Sequence, residues 1–435
     1  MSTDITGTTA AEIADSVRAL RERGMLRSGD LLPPVRELAA VLGVNRNTAV
    51  AAYRQLAQAG LVVSKGRGGT LIAGAAPVAQ EGVAADTVLQ DVGSGNPDAR
   101  LIPDPTQALT RVAGRPVLYG EPVIDPALEE WSRAWMLADL PRDDLHLTVT
   151  SGAVDAVERL LAQALTRDDA VALEDPCFLA SIHTVRLGGY RAVPVPIDEE
   201  GMTVDGLQAA LDAGVRAIIS TPRAQNPTGV SLSPARAAAL REVLRPHPYV
   251  LIIEDDHFSM LSAHPYATLI GPEHRRYALL RSVSKFLGPD MCLALAATDP
   301  TTAERLGMRL NPGTTWVSHL LQRLAHAQLS DGSVRARIAQ AAAHYAERNA
   351  AFVDALDERG LVTHSSDGLS LWVRLPVAAR TAAERLMRRG WLVRTGDEFR
   401  IDPASGASDH LRLTVHDLSD ADAARLLDDL ESAVR

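Results

Sequence analysis

The sequence predicts an α/β protein in two parts, an N-terminal domain over residues 1–74 and a larger body over residues 91–435. Three observations lead to this prediction. Apolar residues recur at helical spacing early in the chain, and two short β-prone runs follow them. In the body, short Val/Ile/Leu-rich runs alternate with helical stretches, which indicates a mostly parallel sheet covered by helices. Between the two parts, residues 75–90 are small, polar and without periodicity, which is typical of a linker.

Three short helices are predicted in the N-terminal domain. Their apolar positions are, helix by helix, Ile13, Val17 and Leu20; Val35, Leu38, Ala39 and Leu42; and Val50, Tyr53 and Leu56. Gly43 interrupts the pattern after the second helix, and Asn45 is suited to cap the third. The runs LVVS and TLIA flank KGRGG, which predicts a β-hairpin with a flexible basic tip.

Helix, tight turn, helix and a two-stranded wing is the geometry of a winged helix-turn-helix, whose third helix lies in the major groove of DNA. Its first turn carries four polar side chains that can reach base edges or phosphates, namely Asn45, Arg46, Asn47 and Thr48. Lys65 and Arg67 lie on the wing tip, where a compact lysine ammonium can approach a phosphate closely. Three small helices can also form a protein-docking module, and periodicity alone leaves that alternative open.

The stretch GDLLPPVRELAAVLGVNRNTAVAAYRQLAQAGLVVSKGRGGTLI resembles the DNA-binding domain of GntR-type regulators over its whole length. This resemblance implies that Arg36, Arg46, Thr48 and Gly66 approach DNA, so the expected partner is a double-stranded operator. Pro34 stands where these regulators usually have Ser.

The charge distribution restricts nucleic-acid contact to the first domain. The chain has a net charge of −10, whereas residues 1–75 hold nine Arg or Lys against six Asp or Glu, so that segment is +3 and the remainder −13. Phosphate backbones repel an acidic body.

Two classes of protein are disfavoured by composition. Cys177 and Cys292 are the only cysteines, too few for a disulfide framework and not at metal-ligand spacing. No run approaches the roughly 18 consecutive apolar residues of a membrane span. The N-terminus lacks the pattern of a secretory signal, so a cytoplasmic protein is expected.

Polar residues follow four Val/Ile/Leu-rich runs of the body, DAVALEDP, VRAIISTP, YVLIIEDD and YALLRSVS. In parallel sheets, ligands bind beyond the carboxyl ends of the strands. The residues at these ends are Glu174, Asp175 and Phe178; Arg223 and Asn226; Glu254, Asp255, Asp256 and His257; and Ser282, Ser284 and Lys285. One charged residue after a strand usually begins a solvated loop, but four such groups in succession predict a shared site.

Lys285 is the most informative of these residues, because 42 of the 44 basic residues are arginine and only Lys65 and Lys285 are lysine. A guanidinium cannot form an imine, whereas a lysine amine can attack an aldehyde. Pyridoxal 5'-phosphate (PLP) needs an imine-forming lysine, a carboxylate for its pyridinium nitrogen and a cradle for its phosphate. The run TSGAVDAVERLL offers a glycine turn entering a helix, where free N–H groups can hold a phosphate.

The motifs ALEDPCF, TPRAQNPTG, IIEDDH and SVSK, in this order, resemble the fold-type I aminotransferases from about residue 91 to the end. The resemblance implies a mostly parallel sheet and a smaller C-terminal subdomain over residues 330–435. Joined to its N-terminal domain, the chain is similar to MocR-type regulators. Such a regulator senses PLP, or an amino acid or amine, and alters operator binding in response. The alternative is a working aminotransferase with an accessory DNA-binding domain.

The resemblance also implies a role for each matching residue. Lys285 forms the covalent bond to the cofactor, Asp255 pairs with the pyridine nitrogen, Asn226 hydrogen-bonds the ring oxygen and Phe178 stacks on the ring. The phosphate contacts come from Gly152, Ala153, Val154 and Ser282.

Two further positions follow from the same resemblance. Tyr119 in LYGEP reaches the phosphate of the partner subunit's cofactor, which makes a homodimer the expected assembly. Arg412 in DHLRLTV matches the arginine that binds an amino-acid carboxylate, a bidentate role suited to a guanidinium. A surface ion pair between Arg412 and Asp409 is the alternative.

Two positions depart from the aminotransferase pattern. His257 replaces the usual Tyr two residues after Asp255, and an imidazole can still donate to the ring oxygen. Cys292 replaces the phosphate-binding arginine seven residues after the lysine. We hypothesise that Arg223 or Arg281 supplies the missing cation. Both departures disfavour efficient transamination.

Overall fold

The computed structural model describes residues 5–59, 61–64, 69–72, 82, 87–112, 114–310, 316–363, 367–402 and 406–435. The chain divides into two compact units, one of residues 1–80 together with 186–190 and the other of residues 81–185 and 191–435. Within the described ranges, no helix combines the length and apolar character that a bilayer crossing requires.

The N-terminal unit contains three helices and a hairpin, as predicted. These are α1 (Ala10–Glu22), α2 (Val35–Leu42), α3 (Arg46–Gln58), β1 (Val62–Ser64) and β2 (Thr70–Ile72). Gly43 ends α2 in the left-handed region at φ 65°, which glycine adopts without strain. The Asn45 side chain caps α3 by accepting from the backbone N–H of Asn47 at 2.8 Å. The two strands are antiparallel, with Val62 opposite Ile72.

One prediction about α3 is wrong. Val50 does not face the core of this unit, since its side chain is 43% exposed. The buried face consists of Ala49, Ala52, Tyr53 and Leu56, which follow the same helical period shifted by one position. The apolar stripe therefore includes two alanines, and α3 leaves Val50 on its solvent face.

The larger unit is built on an eight-stranded sheet. Its strands are β4 (His146–Thr150), β5 (Ala170–Asp175), β6 (Arg191–Asp198), β7 (Gly201–Met202), β8 (Val215–Ser220), β9 (Leu251–Asp255), β10 (Tyr277–Ser282) and β11 (Ala294–Thr298), after a short β3 (Gln90–Asp91) outside this sheet. The spatial order is β4-β11-β10-β9-β8-β5-β6-β7. From β10 to β6 the neighbours are parallel, whereas β11 is antiparallel to both of its neighbours.

Helices cover this sheet and explain its composition. They are α4 (Thr106–Leu109), α5 (Pro126–Asp139), α6 (Ala153–Ala164), α7 (Leu179–Leu187), α8 (Val204–Asp212), α9 (Pro234–Leu244), α10 (Ser284–Leu287), α11 (Pro300–Leu310), α12 (His319–Leu329) and α13 (Gly332–Asp357). Every residue of β9 and β10 is buried, because a parallel sheet with both faces covered excludes water from both. The predicted fold class is confirmed.

A smaller subdomain follows within the same unit. It contains β12 (Val362–Thr363), β13 (Leu371–Arg374), α14 (Ala379–Met387), β14 (Trp391–Leu392), β15 (Arg394–Thr395), β16 (His410–Leu413) and α15 (Asp420–Val434). Four of these strands form a sheet in the order β12-β13-β16-β15, while β14 pairs in parallel with β3.

The smaller core does not coincide with residues 330–435. Helix α13 contributes Tyr345 to the larger core and Phe352 to the smaller one, so it spans both. Val92, which directly follows β3, is buried in the smaller core. An N-terminal stretch of the body is therefore part of the C-terminal subdomain.

Candidate cofactor site

A cavity of about 250 Å³ lies beyond the carboxyl ends of β5, β8, β9 and β10. Its lining residues come from five separate parts of the chain: Ser151, Gly152, Ala153, Val154, Phe178, Thr221, Asn226, Asp255, His257, Ser282, Ser284, Lys285 and Cys292. Seven residues expected at strand ends are thereby brought together. Glu174, Asp175, Glu254, Asp256 and Arg223 were expected there too, but they do not line the cavity.

Lys285 is the second residue of α10, the short helix that begins directly after β10. Its half-buried side chain reaches the cavity, and Nζ donates a hydrogen bond to the carbonyl oxygen of Gly95 at 3.0 Å. Phe286 and Leu287, which follow it in α10, are buried in the core of the larger unit. The lysine is thus held on a packed helix with its amine at the cavity.

Asp255 ends β9 and presents an uncompensated carboxylate. Its Oδ1 is buried, and among the described residues it has no hydrogen-bond partner. Burial and, to a smaller extent, the charge of Asp256 raise the pKa of Asp255 to about 7, against the opposing charge of Lys285. A buried acceptor without a donor costs about 1 to 3 kcal/mol. A ligand with a protonated ring nitrogen would supply that donor, so this carboxylate fits the pyridine nitrogen of PLP.

His257 and Asn226 lie on the same side of the cavity as Lys285, and all three also line a second small pocket. Burial, followed by the charge of Lys285, lowers the pKa of His257 to about 4. The imidazole is therefore neutral at pH 7, where it can donate one hydrogen bond and accept another. Asn226 Oδ1 accepts from Nη1 of Arg412 at 3.0 Å.

The N-terminus of α6 forms the opposite end of the cavity. Gly152 caps this helix at φ 100°, a conformation that favours glycine. Ser151, Ala153 and Val154 complete the turn, and the free N–H groups of a first helical turn attract anions. Ser282 and Ser284 add hydroxyls. This arrangement fits a phosphate.

Cys292 lies where the aminotransferase pattern has an arginine. It lines the cavity, its thiol is exposed, and its backbone is left-handed at φ 38°. Apart from Lys285, the described lining residues include no Lys or Arg. Phosphate binding would therefore depend on helix N–H groups and hydroxyls.

The hypothesis that Arg223 or Arg281 replaces this cation is wrong. Arg223 binds both oxygens of Asp256, with Nε to Oδ1 at 2.9 Å and Nη2 to Oδ2 at 2.5 Å. Arg281 donates to Asp256 Oδ2 at 2.9 Å and also bonds Asp139. Successive strand residues face opposite sides of a sheet, so Arg281 points away from the cavity that its neighbour Ser282 lines.

This pairing sets the ionisation of Asp256. Burial opposes its ionisation, but the hydrogen bonds from Arg223 and the charge of Arg281 lower its pKa below the usual value. Asp256 therefore carries a charge that two buried guanidinium groups compensate.

Arg412, on β16, is fully buried and lies beside the cavity without lining it. Nη1 donates to Asn226, Nη2 donates to the carbonyl oxygen of Gly93 at 2.5 Å, and the guanidinium lies 4.9 Å from the Phe399 ring centroid. The alternative of a surface pair with Asp409 is wrong, because Asp409 pairs with Arg374 and His410.

The expected partner-subunit contact stays a prediction. Tyr119 is 90% exposed, its ring centroid lies 5.4 Å from that of Trp316, and it does not line the cavity of its own chain.

The DNA-binding residues expected on the N-terminal unit are partly described. Arg36, Asn45, Arg46 and Asn47 are exposed, and Thr48 is half-buried, at the beginnings of α2 and α3. Lys65, Gly66 and Arg67, like most of the linker, lie outside the described residues.

Some contacts escaped prediction from sequence. Ser151 and Thr221 line the cavity, and the strand-end rule that selected Asn226 could have found Thr221. Gly95 was missed because nothing local marks a residue that is 190 positions from Lys285. The described residues contain no group of His, Cys, Asp and Glu able to hold a metal ion.

Two family models match the chain. "Aminotransferase class I and II" matches residues 89–430, and "Bacterial regulatory proteins, gntR family" matches residues 9–72.

Relatives and solved structures agree with these two matches. The vitamin B6 salvage pathway transcriptional repressor PtsJ of Salmonella typhimurium is 45% identical over 431 residues, which cover 99% of each chain. The HTH-type pyridoxine biosynthesis transcriptional regulator PdxR of Corynebacterium glutamicum is 27% identical and covers 80% of this chain and 78% of its own. A kynurenine aminotransferase from Pyrococcus horikoshii has a TM-score of 0.72 at 20% identity and covers 80% of this chain and 91% of its own, which shows the fold alone.

Replacing Arg223 by Ala is expected to lower the free energy of unfolding by about 2 kcal/mol, because Asp256 keeps a buried charge with one partner fewer. Denaturant unfolding measures the change. Arg216→Ala is the matched control, since Arg216 is exposed on β8 and should change stability by no more than about 0.5 kcal/mol. Both variants should bind PLP as the wild type does. Weaker PLP binding by an Arg223→Ala variant of unchanged stability would show instead that Arg223 holds the phosphate.

Proposed function

The chain belongs to the MocR-type regulators, which join a GntR-type DNA-binding domain to a class I and II aminotransferase domain, and we propose that it binds PLP through Lys285 to control operator binding. It is a transcription regulator of the PLP-dependent class. One observation carries the assignment of the cofactor to this cavity. The buried Oδ1 of Asp255, which has no partner among the described residues, faces the same cavity as the one lysine of the body.

Most of the lining residues then have a role toward PLP, which supplies an aldehyde and a protonated aromatic ring. Lys285 would bind the aldehyde carbon, and Asp255 would accept from the ring nitrogen and hold its proton. His257 and Asn226 would bind the ring oxygen, and Phe178 would cover a ring face. The α6 N-terminus, with Ser282, would hold the phosphate.

Vitamin B6 metabolism is the proposed target of regulation. The names of two relatives assign them to vitamin B6 salvage and to pyridoxine biosynthesis, and the first is 45% identical over nearly the whole chain. We propose that PLP is itself the effector and that the chain represses a vitamin B6 salvage gene. Binding to a chromosomal operator would require the protein in the cytoplasm, which is the location that we propose.

A working aminotransferase is the second candidate. Lys285, Asp255 and Arg412 are all present, which keeps transamination chemically possible. Arg412 already donates through both terminal nitrogens, to Asn226 and to Gly93, so an amino-acid carboxylate would share the guanidinium with these two acceptors. Cys292 also leaves the phosphate end without a fixed cation. These features favour sensing of PLP over turnover, with an amino acid or amine as a second effector.

A homodimer is the proposed assembly. Tyr119 is exposed on the larger unit, where it would reach the cofactor of the partner subunit. Two DNA-binding heads would then contact two half-sites of one operator, which strengthens binding through the linkage of the two contacts.

PLP added to the purified protein is expected to produce the visible absorbance of a lysine-bound pyridoxal group, and Lys285→Ala should produce none. The chain provides a matched control, because Lys65 is its only other lysine. Lys65→Ala should keep the band. Borohydride reduction followed by peptide mapping should place the label on Lys285. A wild-type protein that stays colourless in excess PLP would contradict the assignment.

Arg46→Ala is expected to weaken binding to a duplex from the chain's own upstream region by about tenfold or more, since an exposed arginine at the start of α3 can reach base edges or phosphates. Gel shift or fluorescence anisotropy measures this affinity at fixed salt. The control is Arg18→Ala on α1, whose side chain pairs with Asp15. The PLP band should persist in both variants. Equal DNA affinity of wild type and Arg46→Ala would remove α3 as the recognition helix.

A further inference from the structure

Residues 92–98, VGSGNPD, form a strap beside the candidate site that belongs to neither a helix nor a strand. Two of its carbonyl oxygens contact the cations of the site. Gly93 O accepts from Nη2 of Arg412 at 2.5 Å, and Gly95 O accepts from Nζ of Lys285 at 3.0 Å. The amine and the guanidinium that a ligand would engage are thus bound to the same short stretch of backbone.

The intervening residue of the strap contacts the linker. The carbonyl oxygen of Ser94 accepts from the backbone N–H of Gly82 at 3.0 Å. Gly82 is the described residue within the stretch 75–86, which connects the body to the DNA-binding domain in sequence. Three consecutive carbonyls therefore bind, in order, Arg412, the linker and Lys285.

Hydrogen bonds to the smaller subdomain fix the position of the strap. Thr414 donates from its backbone N–H to Val92 O at 2.6 Å, and its Oγ1 accepts from the N–H of Gly95 at 3.0 Å. Farther along, Asp98 N–H donates to the hydroxyl of Tyr345 at 3.1 Å. The strap is therefore an ordered element. The contacts to Thr414 and Tyr345 hold its backbone so that its carbonyl oxygens reach Arg412 and Lys285.

Glycine is required where the strap is closest to its neighbours. A Cβ at Gly93 would lie 2.9 Å from Cγ and 3.0 Å from N of Arg394, closer than side chains normally approach backbone. Gly95 has φ 65°, the left-handed region that favours glycine. Both glycines keep the carbonyls within reach of Arg412 and Lys285.

We propose that the strap transmits ligand binding from the cofactor site to the linker, a regulatory role that rests on the PLP-binding function proposed above. A Lys285 amine that forms a C=N bond to an aldehyde carbon loses both of its hydrogens, which leave with the aldehyde oxygen as water. The nitrogen then keeps one hydrogen if it is protonated and none otherwise. Gly95 O therefore loses its donor when the nitrogen carries no hydrogen, and it competes for a single N–H when the nitrogen carries one. A lysine ammonium, by comparison, offers three N–H groups.

A carboxylate ligand acts on the other carbonyl in the same direction. A carboxylate that binds Arg412 shares the guanidinium with Gly93 O and weakens that hydrogen bond, so Gly93 O depends more on its second bond, from Nε of Arg394 at 3.2 Å. Gly93 and Gly95 are buried, and buried carbonyls without donors are unfavourable. The strap shifts in response, and the hydrogen bond between Ser94 O and the N–H of Gly82 changes.

Hydrogen exchange of the full-length protein with and without PLP tests this coupling. PLP should speed exchange of the backbone amides of Gly82, Gly95 and Asp98 by about tenfold, within the usual range of coupling between sites. Lys285→Ala without PLP should resemble the PLP-bound wild type, because it also lacks the donor to Gly95, and PLP should change it no further.

The absorbance band separates the two ways of failing. Unchanged or slower exchange at these three amides, in a wild-type sample whose band shows bound PLP, would overturn the strap mechanism and leave the cofactor assignment intact. A sample with no band would overturn the cofactor assignment, and the strap mechanism with it.

Thr414→Val provides an independent test outside the cavity. It removes the side-chain acceptor for Gly95 N–H and keeps the backbone bond to Val92. A looser strap competes less for Lys285, so the dissociation constant for PLP should fall about fivefold, the effect of one hydrogen bond. Thr363→Val is the matched control, since Thr363 Oγ1 bonds Trp372 O in the same subdomain and touches no strap residue. Equal PLP affinities of the two variants would overturn the proposal.

Discussion

The candidate site depends on two adjacent carboxylates at the end of β9 that are compensated very differently. Asp256 is charged and held by Arg223 and Arg281 on one side of the sheet. On the other side, Asp255 has a buried oxygen without a partner among the described residues, and its pKa is raised to about 7 by burial and by Asp256. A cation in the cavity would relieve both the missing hydrogen bond and the repulsion between the two carboxylates. The fold therefore provides a site for a protonated ring.

Local sequence rules predicted the parts of the site that lie on regular elements. Strand-end residues such as Asn226, Asp255 and Lys285 could be placed together, because parallel strands end at the same edge of a sheet. The same alternation rule could have excluded Arg281, since its neighbour Ser282 faces the cavity. The hypothesis about Arg281 rested on its proximity in sequence to other site residues. Such proximity does not determine which face of the sheet a side chain occupies.

The remaining features depend on contacts between distant parts of the chain. Gly93 meets Arg412 across 319 positions, and Gly95 meets Lys285 across 190. The hydrophobic periodicity of a sequence gives no information about contacts between such distant residues. Val50 was misplaced for a related reason, because the face of α3 that is buried depends on how α3 packs against α1 and α2.

A regulator requires that its ligand and its operator affect each other. Ligand binding can shift DNA affinity only through different contacts in two states, and the strap supplies one such difference. Reciprocity makes the central claim measurable: if PLP changes operator affinity by some factor, the operator must change PLP affinity by the same factor. The decisive measurement is the PLP dissociation constant with and without saturating upstream duplex, beside the duplex affinity with and without PLP. We predict that the PLP affinity and the duplex affinity change by the same factor, and that this factor differs from one. An unchanged PLP affinity on DNA, with both ligands bound, would contradict control of operator binding by this site.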